Sequence, residues 1–151
     1  MRKNIVDYGR WPVRRGQTLE RSQLHLLVGG SHQWGITSCR NGTAMLVFAN
    51  PGRAHKYGYD KWEGQRRSGV YDYTGQGLAG DQTVDRGSNR KLLLSQVDFI
   101  PIHLFEAAGT TVTYKGRYRL AEAPFRVENA PDINMDIRKV IVFSLVADDG
   151  N

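Results

Sequence analysis

Five aromatic rings crowd one short polar stretch of this chain. Between Tyr57 and Gln82, in "YGYDKWEGQRRSGVYDYTGQGLAGDQ", Tyr57, Tyr59, Trp62, Tyr71 and Tyr73 alternate with glycines and charges and follow no helical period. The stretch is too polar and glycine-rich for a core segment, so its rings need another use. Other reactive side chains offer little. His25, His32, His55 and His103 are scattered, and none stands at metal-ligand spacing from Cys39 or another histidine. His103, within "IPIHLFE", reads as a strand residue. Carboxylates such as Asp81, Asp85 and Glu106 form no acid–base pair that spacing singles out. No catalytic constellation, metal site or cofactor is expected.

One motif matches by letter alone. Gly75-Gln76-Gly77-Leu78-Ala79-Gly80 spells G-x-G-x-x-G, but a dinucleotide site needs the third glycine inside a helix opened by the first. Here the glycines lead into "DQTVDRGS", which is polar and full of helix breakers. The expected structure is a loop that uses positive φ angles.

Composition narrows the partner. The chain has 151 residues, one domain by length, expected to span 1–151. Lys and Arg number 21 against 15 Asp and Glu, a formal charge of +6. Arginine dominates the basic set, and its planar fork suits phosphate. A basic domain with no apolar run long enough to span a bilayer points to nucleic acid and away from membranes. Cys39 is the lone cysteine, so no internal disulfide forms. With no apolar leader at the N-terminus, the expected location is cytoplasmic, at the nucleoid.

The elements that must position these residues follow from pattern. "GQTLERSQLHLLVGG" predicts a short helix with Leu19, Leu24, Leu26 and Leu27 on its apolar face and Gly29-Gly30 at its end. "AMLVFA" predicts a buried strand, "GVYDYT" a strand with two different faces, and "SNRKLLLSQV" a short helix capped by Ser88. "IPIHLFEA", "TTVTYKGRYRL" and "APFRVEN" read as successive strands, and "IRKVIVFSLVA" as the last. Many strands and two short helices predict an α+β fold, a partly open β-barrel with helices outside.

"KYGYDKWEGQRRSGVYDYTGQGLAGDQ", followed by "GSNRKLL", resembles the SRA (SET and RING associated, or YDG) domain. The bacterial form, found in McrA-type modification-dependent HNH endonucleases and stand-alone relatives, is the nearest in pattern. "VGGSHQWGI" upstream and "RKVIVFSLV" downstream also fit it. The resemblance implies a PUA-like twisted barrel that binds double-stranded DNA and flips a 5-methylcytosine into a pocket. A flipped base needs a ring on each face and a reader for its Watson–Crick edge. By resemblance, Tyr57 and Tyr73 are the stacking rings, with Tyr59 and Trp62 competing for the place of Tyr57. Asp60 matches the carboxylate that accepts from the N4 amino group. Thr74 lines the methyl side, and Gly75 lets backbone amides approach. His32, Gln33 and Trp34 match the loop that fills the vacated stack. Arg53, Arg66, Arg67, Arg86 and Arg90 are expected to hold phosphates. Two other readings stay open: the specificity module of a methylation-dependent endonuclease, with a fused or partner nuclease domain, and a PUA-like RNA-binding module.

Overall fold

The computed structural model describes residues 11–51 and 62–148. Eight strands join one mixed, unclosed sheet, with two helices packed on it. In chain order these are β1 (Thr18–Glu20), α1 (Arg21–Val28), β2 (Ile36–Ser38), β3 (Met45–Ala49), β4 (Gly64–Arg67), β5 (Val70–Thr74), α2 (Gly87–Val97), β6 (Ile102–Ala108), β7 (Thr111–Pro131) and β8 (Ile137–Ala147). The path across the sheet is β2-β3-β6-β7-β8-β5-β4, with β1 pairing β7 off that path. All neighbours run antiparallel except β3 and β6, which are parallel. The expected α+β, partly open barrel architecture is what the chain forms.

Burial on both faces explains the unbroken apolar run of β3. Met45, Val47 and Ala49 join the larger core with Leu92 of α2, Leu104, Phe143 and Leu145. Leu46 and Phe48 point the other way, into a second core with Leu24 and Val28 of α1, Phe105 and Tyr114. A strand enclosed by a helix on each side has no polar face to show, so its sequence does not alternate.

Three expectations are corrected. The first helix is shorter than its sequence pattern. Thr18–Glu20 is drawn into a strand against Thr111–Thr113, and the helix starts at Arg21. Its buried side is Leu24, His25 and Val28, while Leu26 and Leu27 are exposed. Ser88 does not cap α2. Arg86 holds the cap position without a side-chain bond, and Ser88 lies within the helix. The segments "TTVTYKGRYRL" and "APFRVEN" form a single strand, β7, whose register slips between Leu120 and Phe125. This one strand pairs with β6 over Thr111–Tyr118 and with β8 over Tyr118–Leu120 and, after the slip, Phe125–Pro131.

Candidate functional site

Strand β5 carries alternate residues to opposite faces, and the site residues divide accordingly. Tyr71 and Tyr73 enter the larger core. Asp72 and Thr74 face the other way. Tyr73 is opposite Phe143 of β8 and is 2% exposed, so its ring presents no open face in this structure. Its hydroxyl lies 3.3 Å from the carbonyl oxygens of both Gly35 and Phe48 and accepts from Gln76 Nε2 at 2.9 Å. Tyr73 thereby ties the loop at residues 29–35 to the loop at residues 75–83. A Cβ at Gly35 would stand 2.8 Å from the Tyr73 hydroxyl and 2.9 Å from Gln76 Nε2, so a larger residue there would push these two side chains aside.

The loop of residues 75–83 is fastened from several directions by buried polar side chains. Asn89 accepts from the Gln76 amide at 2.7 Å and donates to the carbonyls of Gln76 and Thr83, both at 3.0 Å. Gln82 donates to the Gly75 carbonyl and accepts from the Ile141 amide. Arg138 Nη1 donates to the carbonyls of Gly77 and Gly80, at 2.8 and 2.9 Å. Asp132 accepts from the amides of Gly80, Asn134 and Asp136, which holds its carboxylate below the usual range. Gly77 and Gly80 do take positive φ, as expected of this loop. Gly75 does not. It is glycine because a Cβ would meet Asn89 Oδ1 at 2.7 Å. The G-x-G-x-x-G letters therefore belong to a braced loop followed by only a short helix.

In the upstream loop, His32, Gln33 and Trp34 are all exposed, Trp34 by 61%. Their backbone is nonetheless held. The Ser31 amide donates to Thr37 Oγ1, and the Gln33 amide donates to Ser31 Oγ. Arg21 Nη2 donates to the carbonyls of Ser31, at 3.0 Å, and Trp34, at 2.8 Å. Fixed ends and free tips are what a loop needs to project side chains into a partner.

On the far face of β5, Asp72 is 3% exposed and accepts on one oxygen from Arg66 Nε, at 2.7 Å, and Arg126 Nη2, at 3.0 Å. Arg66 also donates to the Trp62 carbonyl. Its guanidinium thus bonds within the protein while its side chain stays exposed, as Arg67, Arg86 and Arg90 are. The Thr74 amide donates to Glu63. Trp62 packs against Ala130, Val140 and Val142 and donates from Nε1 to the Asn129 carbonyl. This corrects one expectation. Val142 and Phe143 are adjacent in β8 and face opposite ways, so Trp62 and Tyr73 lie on opposite sides of the sheet and cannot sandwich one base. Tyr57, Tyr59, Asp60 and Arg53 lie outside the described residues.

Asn89, Gln82, Arg138, Asp132 and Arg21 are the site residues that sequence reasoning missed. For Asn89 and Gln82 a signal existed, since both lie in the Gly-Asp-Gln and Asn-Arg elements that carried the resemblance. For Arg21 the signal was its i, i+4 spacing from His25. Among the described residues no cluster of three or more metal-ligating side chains occurs.

A search of solved structures returns the same fold. The sulfur-binding and SRA domains of ScoMcrA, complexed with phosphorothioated DNA, superpose with a TM-score of 0.66 at 17% identity, covering 90% of this chain and 40% of that one. The Type IV phosphorothioation-dependent restriction endonuclease ScoMcrA gives 0.70 at 17% identity, over 93% of this chain. The SUVH5 SRA domain with hemi-methylated CG DNA gives 0.65 at 22% identity, covering 93% of this chain and 92% of that one. This chain spans only 40% and 30% of the two ScoMcrA chains. No curated protein matches its sequence. The sequence profile of the ScoMcrA-like SRA domain, however, matches residues 15–150, and with nearly the whole chain covered, the protein belongs to that family.

Proposed function

We propose that this domain binds double-stranded DNA containing 5-methylcytosine, turns the modified base out of the helix, and has no catalytic step of its own. The observation that carries the reading is the junction at Tyr73. In a chain of the SRA family, it joins the loop presenting His32, Gln33 and Trp34 to the braced loop of residues 75–83. Two such loops on one anchor keep a fixed spacing, which suits a duplex opened at one base pair. Asp60 accepts from the N4 amino group and Tyr57 or Tyr59 supplies a stacking face; Tyr73, closed at 2% exposure, and Thr74, on the other side of β5, anchor the strand and do not line one pocket. Arg53, Arg66, Arg67, Arg86 and Arg90 take phosphates, which position the duplex without reading it.

The domain's place in a larger assembly gives a second reading. Two neighbours are chains of which this one spans less than half, and one of them is a restriction endonuclease. A specificity module that hands modified DNA to a fused or partner nuclease fits those proportions.

A titration of fluorescent duplexes carrying cytosine, 5-methylcytosine or 5-hydroxymethylcytosine at one position tests the function. The methylated duplex is expected to bind most tightly. Asp60→Ala is expected to lose about 1–3 kcal/mol of that preference, the worth of one good base-edge contact. Binding to all three duplexes is expected to weaken with salt at a log–log slope of about −0.9 per phosphate contacted. Equal binding of all three duplexes by the unmodified protein would overturn the reading.

A further inference from the structure

Arg21 sits in the first turn of α1, outside every segment that the family resemblance assigns a role. Its guanidinium nevertheless makes directed contacts with the upstream loop. Nη2 donates to the carbonyls of Ser31 and Trp34, the two ends of the exposed turn. Nε donates to His25 Nε2 at 3.0 Å. The plane of the group lies over the Phe48 ring, with Cζ 3.8 Å from its centroid. A flat fork is thus held on an aromatic face and aimed at three acceptors, a geometry a lysine ammonium does not reproduce.

His25 fixes that aim. It is 4% exposed, and its Nδ1 lies 2.7 Å from the Gly29 carbonyl oxygen. A carbonyl only accepts, so Nδ1 carries the proton. Nε2 is then the lone-pair acceptor that Arg21 requires. Both bonds are satisfied by one neutral tautomer. Burial, together with the adjacent Arg21 and His32, favours that neutral form and outweighs the Gly29 contact, which favours the cation. The His32 ring, on the loop itself, lies 4.6 Å from the His25 ring.

We propose that Arg21, aimed by His25, is the positioning residue that holds the 31–34 turn in the shape that presents Gln33 and Trp34 to an opened duplex. This rests on the function proposed above. A turn clamped at both ends is ordered before DNA arrives. Fixing even one residue's backbone is worth on the order of tenfold in a binding constant. An unclamped turn meets that cost on binding, so Arg21→Lys is expected to weaken binding by about tenfold or more.

The test is a double-mutant cycle between Arg21→Lys and the paired substitution Gln33→Ala with Trp34→Ala. It is read on a duplex with one 5-methylcytosine and on a duplex with an abasic site opposite guanine, where the hole is already made. If Arg21 acts through the turn, the combined protein binds about as well as the loop variant alone. Losses that multiply, or an Arg21→Lys protein that binds as the unmodified one does, overturn the proposal. Thermal melting accompanies each variant. Should Arg21→Lys fail to fold, the nitrogen-15 shifts of His25 in the unmodified protein decide instead. Protonated Nδ1 with unprotonated Nε2 at neutral pH supports the clamp, and the opposite tautomer or the imidazolium overturns it. A domain that shows no preference for the methylated duplex yet binds the abasic one refutes the function reading alone, and the cycle on the abasic duplex still judges the clamp. Failure to bind either duplex overturns both.

Discussion

Asn89→Asp replaces one nitrogen by oxygen with no change of shape, and the structure makes its cost large. The Asn89 amide serves three bonds at 5% exposure: its oxygen accepts from the Gln76 amide, and its nitrogen donates to the carbonyls of Gln76 and Thr83. The introduced carboxylate keeps the first and loses the other two, turning a negative oxygen toward two carbonyl oxygens. A buried acceptor left without its donor costs about 1–3 kcal/mol, so the two together predict a loss of about 3 kcal/mol at pH 7.5. The sign with pH is also set. Burial among acceptors raises the carboxyl's pKa, and its protonated form donates one of the two missing bonds. The deficit relative to the unmodified protein should therefore shrink by about 1 kcal/mol between pH 7.5 and pH 5. Urea denaturation of both proteins across that range measures it, with hydrogen exchange at the Gln76 amide reporting whether the retained bond survives. A variant as stable as the unmodified protein at pH 7.5 would refute the claim that Asn89 braces the loop. A deficit that grows on acidification would refute the electrostatic part alone.

Gly35→Ala should destabilise the domain by about 1–3 kcal/mol and lower affinity for the methylated duplex, because the added methyl separates Tyr73 from the loop; an unchanged melting temperature and affinity would show that the junction tolerates it. His103 is buried, with Nδ1 2.7 Å from the Tyr114 hydroxyl, and burial pushes its pKa down from 6.5 to about 3. The unfolded chain then binds the extra proton first, so this contribution is whole above pH 6.5 and is lost as pH falls toward 3. By pH 5 the loss is about 2 kcal/mol, and a His103→Gln protein should show a flatter dependence in the same titration.

Elements whose pattern is local were readable from the chain. β3 and β8 are apolar runs and β5 alternates, and each formed as expected. Elements decided by distant partners were not. Thr18–Glu20 looks like the start of a helix and becomes a strand because β7 offers Thr111–Thr113 as a partner. Nothing local in "RYRLAEAPFR" says that a slip in register, and not a turn, joins the two halves of β7. The site divides in the same way. Its exposed loop candidates, His32, Gln33 and Trp34, were named because they match a family pattern in sequence. Its braces were missed because a buried Asn89 or Arg138 acts on backbone atoms across the fold, and backbone acceptors leave no mark in a sequence.

The separation of braces from tips bears on how this domain can change over generations. Leu78 and Ala79 are exposed at the crest of the 75–83 loop, and the bond that the protein makes to Leu78 is to its backbone carbonyl, from the Ile133 amide. Side chains there can drift, lengthen or acquire charge while Gln82, Asn89, Asp132 and Arg138 keep the main chain in place. A lineage can thus vary two crest positions with little penalty to folding. A change at Gly35, Tyr73 or Gln76 would disturb both loops in a single step.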